Sequence, residues 1–284
     1  MITEMPRIAI AVRDMDQAID RFRNALGLGV VELPGVIDSL GIRIAMCSGT
    51  TVSHIELMAP EQHDRPQSQS LNRFMDRRGE GLFAMMFYAP DPDEEASAIG
   101  ERGLPALPLM PEAGGRDFHP KGTGGVLIRI YPTAIDAMIE EPLDKELGSL
   151  DQRPSGCGLS GIRAVQIVVP DLEAALAIYR DQFGLPAEVR PPNAEGQLAV
   201  CTPPSGSRLE LLTPSDPHSK TGRFLQEQGS GLFAIVHESE DAEASARSIQ
   251  AAGIDVEQAA EDLWDIDPST TFGARLRIRS ASSS

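Results

Sequence analysis

The chain has 284 residues and a formal net charge of −17 at pH 7. This excess of carboxylates argues against binding to nucleic acid or to an anionic membrane surface, because like charges repel and the sequence contains no basic patch to compensate. The length gives room for two ordinary domains, each with its own core. We therefore expect the partner to be a small molecule.

Three features of the sequence predict a cytoplasmic location. Residues 1–6 lack the basic stretch and apolar run of a signal peptide. No segment approaches the roughly 18 continuous apolar residues of a membrane span. The three cysteines show no metal-type spacing, so reduced thiols are the simplest interpretation.

The first predicted element is a strand, in which Ile8, Ile10 and Val12 alternate with small or polar residues. Asp14 then has the position of a helix N-cap, and the apolar residues that follow it have helical spacing. Strands are next predicted at 30–33, 42–47, 52–58 and 82–88, followed by a helix at 92–102 and strands at 104–107 and 126–130.

Residues 133–158 are acidic and then contain proline and glycine, which predicts a linker with a short helix at 134–140. The same order of elements then begins again. Strands are predicted at 164–169, 198–201, 208–212, 233–237 and 274–279, and helices at 172–183 and 242–252.

The second half repeats the first in sequence as well as in pattern. Arg-Phe at 73–74, followed by Gly-x-Gly-Leu-Phe-Ala at 79–84, recurs at 223–224 and 229–234. Glu56 and Glu210 also occupy equal places, each nine positions after a cysteine. An internal repeat predicts two similar units. We therefore expect domains at 1–132 and 159–280, joined by a linker at 133–158.

Several segments resemble the vicinal oxygen chelate superfamily, which includes glyoxalase I, methylmalonyl-CoA epimerase, extradiol dioxygenases and bleomycin-type resistance proteins. They are Ile-Ala-Ile-Ala-Val-Arg-Asp-Met at 8–15, Val-Val-Pro-Asp-Leu at 168–172 and His-Pro-Lys-Gly-Thr-Gly-Gly-Val-Leu-Ile at 119–128, the last most similar to the epimerase branch. The resemblance implies an α+β fold of tandem glyoxalase-like domains, each made of two βαβββ modules that form a cupped mixed sheet around a cavity.

The resemblance also implies four metal-ligand positions in each copy, which must hold His, Glu or Gln side chains to bind a divalent ion. These positions fall at Arg7, Glu56, Ala84 and Arg129 in the first copy and at Ala164, Glu210, Ala234 and Arg277 in the second. Alanine supplies no donor atom and a guanidinium stays protonated. We therefore predict no metal and no cofactor, although a shifted register would bring in His54 or Gln166.

In place of a metal, arginine can neutralise the remaining glutamates. We expect Arg7 and Arg129 to flank Glu56, and Arg277 to face Glu210. Glu56 and His54 are the predicted acid/base residues, because they share a strand face and imidazole titrates near neutrality. The predicted substrate-binding residues are Arg7, Arg129, His119, Gln166, Glu210 and Arg277.

Simpler interpretations compete with each assignment. The ion pairs can be purely structural, and His54 can be a hydrogen-bonded core residue. His119 can shape a loop, and the remaining histidines, His63, His218 and His237, are predicted to lie at the surface.

Three functions fit these residues. The first is a metal-independent isomerase, epimerase or lyase that transfers a proton next to a carbonyl of a small, oxygenated, anionic substrate. The alternative is a non-catalytic protein that binds or sequesters a small molecule, and the third is a structural tandem. The first copy keeps more polar residues and is the predicted working site, while pairing within the chain or as a homodimer stays open.

Overall fold

The computed structural model describes residues 1–33, 40–109, 114–153, 156–159 and 161–281. Residues 154–155 of the predicted linker lie outside this range. The predicted α+β class is confirmed, because the described residues form helices and two eight-stranded mixed sheets.

The strands of the first copy are β1 to β7, and the second copy contributes β8 to β16. In the first copy they span Glu4–Ala11, Gly29–Glu32, Ile42–Ser48, His54–Pro60, Gly81–Ala89, Arg116–Phe118 and Leu127–Pro132. In the second they span Ile162–Val168, Ala187–Asn193, Gly196–Cys201, Ser205–Gly206, Arg208–Pro214, Gly231–Ser239, Val256–Ala260, Leu263–Ile266 and Leu276–Ser280.

Each sheet belongs mainly to one copy. The first runs in the order β2-β3-β4-β1-β5-β7-β6, with the two-residue β11 beside β1, and the second runs β14-β15-β16-β13-β8-β12-β10-β9. The first strand of each module pairs in parallel with the module's last strand, as in β1 with β4 and β13 with β16. A helix makes each parallel crossover, as the βαβββ pattern requires.

The described helices are α1 to α7, and they span Met15–Asp20, Pro66–Arg78, Pro92–Glu101, Asp136–Leu147, Leu172–Leu176, Lys220–Gln228 and Ala242–Ala251. π-helical turns at Arg21–Ala25 and Ala177–Gln182 extend α1 and α5. Within the described part of the chain, no helix is long and apolar enough to cross a bilayer.

An aspartate caps the crossover helix of every module. The side chains of Asp14, Asp91, Asp171 and Asp241 accept hydrogen bonds from backbone N–H groups in the first helical turn. A carboxylate suits this place because the first N–H groups of a helix have no intrahelical acceptor. The predicted cap at Asp14 is therefore one of four equivalent caps.

Two helices, α2 and α6, occupy polar stretches for which no element was predicted. Their apolar residues are sparse, and α2 buries Leu71 and Met75 but also polar side chains. Phe74 and Phe83 meet edge to face at 5.1 Å between ring centroids, and Phe224 and Phe233 repeat this contact at 5.3 Å. The repeated Arg-Phe and Gly-x-Gly-Leu-Phe-Ala motifs therefore encode one packing unit twice.

The predicted strand at 104–107 is wrong, because these residues have no regular structure. The antiparallel neighbour of β7 is the three-residue β6, which begins nine positions after residue 107. The backbone N–H of Leu107 donates to the carbonyl of Asp117 on β6 at 2.7 Å.

The described residues fall into two compact units, each built from separate segments. One unit comprises residues 1–6, 84–135 and 164–233, and the other comprises 7–83, 136–163 and 234–284. We call them the first and second units. The second contains β2 to β4, most of β1 and the segment that follows the first copy, and it holds the acid/base residues predicted from the sequence.

His237 is buried, with 1% of its surface exposed, so its prediction as a surface residue is wrong. It lies on β13 in the second unit. Burial lowers the pKa of this imidazole to about 4, and the backbone of Gly161 opposes the shift only in part. His63 and His218 are exposed, as predicted.

We expect His237 to make folding sensitive to mild acid. Between its ordinary value of 6.5 and its folded pKa of about 4, the unfolded chain binds a proton that the folded chain does not, so stability falls as the pH falls. Urea unfolding at pH 7 and pH 4.5 measures how much the free energy of unfolding decreases between these pH values. In His237→Gln this decrease should be smaller than in the wild type by up to roughly 3 kcal/mol. His218→Gln is the exposed control, and equal pH dependence in both variants would contradict the assignment.

Candidate functional site

The centre of the site is a buried ion pair between Arg7 on β1 and Glu56 on β4. Nη1 of Arg7 lies 3.2 Å from Oε2 of Glu56, and both side chains are at least 96% buried. In the parallel register Arg7 lies opposite His54 and Ala9 lies opposite Glu56. Paired and alternate residues share a sheet face, so Arg7, His54 and Glu56 form one cluster.

His54 is fixed by a residue from the segment after the first copy. Its Nε2 lies 2.7 Å from Oε1 of Glu140 on α4, and 1% of the histidine side chain is exposed. Its other ring nitrogen, Nδ1, has no hydrogen-bond partner among the described residues. His54 is therefore held from one side only.

Arg153 ties the same segment to the sheet. Its Nη2 donates to Oε2 of Glu140 at 2.6 Å and to Oδ1 of Asp144 at 2.8 Å, and its Nη1 donates to Oγ of Ser48 on β3 at 2.9 Å. Its side chain is fully buried. The arrangement links β3, β4 and α4 through charge-assisted hydrogen bonds, which are stronger than neutral ones.

These contacts lower the pKa of Glu140. Burial on its own would raise the pKa, but hydrogen bonding and charge from His54 and Arg153 outweigh it and lower the pKa from 4.5 to about 2. Glu140 is therefore a carboxylate at neutral pH.

The helix α4 is longer than the predicted helix at 134–140, because it continues through Pro142 to Leu147. A proline removes one helical hydrogen bond, here the one to the carbonyl of Met138, a residue that is 70% exposed. Ile139 and Leu143 are buried four residues apart and hold the helix, which packs against β2. The predicted linker thus contributes side chains to the cluster.

Arg129, predicted to flank Glu56, is bound to a different carboxylate. Its Nε and Nη2 donate to the two carboxylate oxygens of Asp117, each at 2.5 Å, and its Nη1 donates to the hydroxyl of Tyr131 at 3.1 Å. Asp117 lies directly opposite Arg129 in the β6–β7 pair, so it is the nearest carboxylate across the strands. Burial would lower the pKa of Arg129, but Tyr131 and Asp117 reverse this and raise it.

Arg277, predicted to face Glu210, has Asp265 as its partner. Nε of Arg277 lies 2.7 Å from Oδ1 of Asp265, and each side chain is 1% exposed. The two residues lie opposite each other on β16 and β15. Nη1 of Arg275 lies 3.4 Å from Oδ2 of the same carboxylate and is a second, longer contact.

Glu210 is held within the first unit. Nε2 of Gln166, the residue opposite it on β8, donates to Oε2 at 2.9 Å. Nε of Arg208 lies 3.5 Å from Oε1. The structure therefore brings Gln166 and Glu210 together.

His119 is exposed, and its Nδ1 accepts a hydrogen bond from the backbone N–H of Lys121 at 3.1 Å. This contact shapes the turn that leads to β7, which is the simpler of the two roles considered for it.

Asp117 and Asp265 were missed because neither of their short strands was predicted. The repeat contained a usable signal, since each aspartate precedes its arginine by twelve positions, Asp117 before Arg129 and Asp265 before Arg277. Glu140 and Arg153 lie in the joining segment, which occurs once, so no internal comparison could identify them.

Profiles of two related families match the chain. The Glyoxalase/Bleomycin resistance protein/Dioxygenase superfamily matches residues 161–265, and the Glyoxalase-like domain matches residues 8–132. The ethylmalonyl-CoA/methylmalonyl-CoA epimerase of Cereibacter sphaeroides is 37% identical over 93 residues, which cover 31% of this chain and 68% of the relative. The chain belongs to the vicinal oxygen chelate superfamily.

A second relative agrees with this membership, and a solved structure shares the fold. The mitochondrial methylmalonyl-CoA epimerase of Homo sapiens is 32% identical over 101 residues, 35% of this chain but only 54% of the human protein. A mutant 4-hydroxymandelate synthase from Streptomyces coelicolor superposes with a TM-score of 0.64, covering 98% of this chain and 92% of the synthase at 14% identity. At that identity the superposition supports the tandem fold alone.

The residues of this superfamily member do not fit the divalent metal that the fold often carries. In the described part of the chain, no three His, Cys, Asp or Glu side chains are arranged to hold a metal ion. At the family's ligand positions Glu56 is paired with Arg7, and the side chains of Ala84, Ala164 and Ala234 have no donor atom.

We expect the Arg7–Glu56 pair to be strongly coupled. Arg7→Met and Glu56→Gln should each lower the free energy of unfolding, Arg7→Met by about 3–5 kcal/mol because it strands a buried carboxylate, and the double variant should lose less than the sum. Urea unfolding measures all four proteins.

The control cycle uses Arg13→Met and Asp76→Asn, an exposed pair at 3.4 Å. Its coupling should stay below about 1 kcal/mol. If the double variant at Arg7 and Glu56 loses as much unfolding free energy as the two single variants together, the two side chains are not electrostatically coupled.

Proposed function

We propose that this superfamily member is an isomerase or epimerase that moves a proton on the carbon next to a carbonyl, in a small, oxygenated, anionic substrate, and does so without a divalent metal. Glu56 and His54 are the proposed acid/base residues, and Arg7 is the proposed cation beside the carbonyl oxygen.

One observation carries the proposal. A carboxylate, an imidazole and a guanidinium share one face of β1 and β4, and each residue is at most 3% exposed. Such a set contains a base, a second group able to carry a proton, and a fixed positive charge. Burial strengthens their electrostatic action, because little water screens it.

The proposed reaction needs no external oxidant or reductant. One acid/base residue takes the proton from the carbon, and the electron pair of the C–H bond moves into the carbonyl to form an enolate. Arg7 stabilises the negative oxygen by hydrogen bonding and charge. Return of a proton from the other acid/base residue to the opposite face of the carbon gives the epimer.

The similarity to two epimerases supports this reaction class over the alternative of a binding protein. Their names identify 2-alkylmalonyl-CoA thioesters as substrates. Such compounds have an acidic C–H between two carbonyl groups, together with negative charge, so they are the first candidates for this chain.

We also retain the predicted substrate-binding residues as part of the proposal, namely Arg7, Arg129, His119, Gln166, Glu210 and Arg277. Arg129 and Arg277 already neutralise aspartates, so their expected contribution is hydrogen-bond donation rather than net positive charge.

The first experiment follows solvent deuterium. Methylmalonyl-CoA is incubated with the protein in D₂O, and loss of the C2 proton is measured by ¹H NMR. Glu56→Gln and His54→Gln should each lower the exchange rate at least about 100-fold, since general acid–base catalysis typically contributes that much. Glu61→Gln, an exposed residue just beyond β4, is the control and should retain the rate.

Two outcomes would argue against catalysis. Exchange that persists in the Glu56 and His54 variants would show that other residues catalyse it. Absence of exchange with 2-alkylmalonyl thioesters, together with ligand binding that these variants only weaken, would favour the binding function.

We expect chelation to leave the rate unchanged, because the proposed cation is the guanidinium of Arg7. Protein dialysed against EDTA and then given Mg²⁺, Mn²⁺, Co²⁺ or Zn²⁺ should exchange the C2 proton within about twofold of the untreated rate. A loss on chelation that a single metal restores would overturn metal independence.

A further inference from the structure

We propose that Glu140, in the segment that joins the two copies, is a positioning residue that holds His54 with its proton on Nε2 and its basic lone pair on Nδ1. This inference rests on the proposed function, since it assigns the role of His54 in the same site.

The geometry restricts how His54 can bind. Nε2 is 2.7 Å from a carboxylate oxygen of Glu140, and the ring is almost completely buried. No described residue donates to or accepts from Nδ1. A buried ring nitrogen without a protein partner is costly to leave unsatisfied, so it marks a place where a ligand can supply the partner.

The chemistry of the two groups then fixes the tautomer. An ionised carboxylate only accepts hydrogen bonds, and a neutral imidazole has one N–H donor and one acceptor nitrogen. The nitrogen that faces Glu140 must therefore carry the hydrogen, which leaves Nδ1 as the acceptor. Glu140 is ionised whichever form His54 takes, because Arg153 donates a charge-assisted hydrogen bond to its other carboxylate oxygen at 2.6 Å.

Arg153 keeps Glu140 in place. It binds the second carboxylate oxygen of Glu140, and its other terminal nitrogen is anchored to Ser48 on β3. Glu140 is 28% exposed while Arg153 is fully buried, so the guanidinium supplies the rigid end of the chain of contacts. Arg153 therefore contacts Glu140, and Glu140 contacts His54, so a continuous chain of hydrogen bonds connects the joining segment to the proposed acid/base residue.

The arrangement also balances charge during the proposed step. When Nδ1 takes the proton from the substrate carbon, the electron pair stays with the substrate as the enolate and the ring becomes an imidazolium. Glu140, already hydrogen-bonded at Nε2, stabilises that positive charge, and no proton needs to move between the two side chains. Glu56, after taking a proton from water, gives it to the opposite face of the carbon, and the imidazolium passes its own proton to the hydroxide left behind, which restores the neutral ring.

The test begins with the unmodified full chain and no substrate. In protein labelled with ¹⁵N-histidine, long-range ¹H–¹⁵N NMR at pH 7 distinguishes the tautomers of the five histidines, and the signals missing from His54→Gln assign His54. We expect the neutral ring, observed at pH 7 or after the pH is raised, to be protonated on Nε2. A neutral ring protonated on Nδ1 overturns the proposal, and this result does not depend on any turnover.

Two matched variants separate positioning from general stability. Glu140→Gln keeps the size of the side chain, but an amide donates as well as accepts, so both tautomers should appear and kcat should fall about tenfold to a hundredfold with little change in KM. Glu141→Gln removes the exposed carboxylate next to Glu140 on the same helix, outside the chain of contacts that reaches His54. It should keep the wild-type tautomer and kcat.

Failure of this inference differs from failure of the proposed function. If Glu140→Gln folds with wild-type thermal stability and keeps a single Nε2-protonated tautomer, Glu140 does not position His54. If the tautomer changes as expected but neither wild type nor variant exchanges a substrate proton, the positioning role stands and the proposed reaction falls.

Discussion

The structure depends on one electrostatic constraint, which is that a carboxylate on a buried sheet face needs a cation or a hydrogen-bond donor beside it. Removing an unpaired carboxylate from water costs several kcal/mol, and the group would protonate instead. Each described carboxylate of this kind has such a partner, in the pairs Arg7–Glu56, Arg129–Asp117, Arg277–Asp265 and Gln166–Glu210. In these four pairs the partner lies on the neighbouring strand, directly opposite or two residues along it, because the sheet places side chains there at close range.

Much of the fold follows from local patterns that the repeat reinforces. Alternating apolar residues mark the parallel first strands, an aspartate caps each crossover helix, and matching aromatic pairs hold α2 and α6 in both copies. Short or polar elements cannot be predicted in this way. The strand β6, for example, has only three residues, which are too few to show an alternating pattern. The candidate site was predictable to a lesser extent. Arg7 and Glu56 follow from their places on a recognisable strand pair, whereas Asp117 and Asp265 lie on strands that the pattern does not reveal.

Contacts between residues distant in sequence are the other part of the site that could not be predicted. Glu140 lies 86 positions from His54, and Arg153 lies 105 positions from Ser48. Neither pair has a periodic or compositional signature. The acidic joining segment has the composition of a connector, and Pro142 indicates an early helix end. Burial of Ile139 and Leu143 outweighs that local signal and brings the carboxylate of Glu140 to the sheet face.

The joining segment also explains why the two copies need not share a function. A duplication supplies two similar sheets, and each keeps its glutamate on the last strand of the first module. The residue two positions earlier differs, since His54 in the first copy corresponds to Arg208 in the second, where Gln166 and Arg208 hold Glu210. An arginine cannot exchange a proton at neutral pH, so that copy lacks an equivalent of the imidazole. The segment at 133–158 occurs only once, and its Glu140 carboxylate reaches the copy that has a histidine at this position.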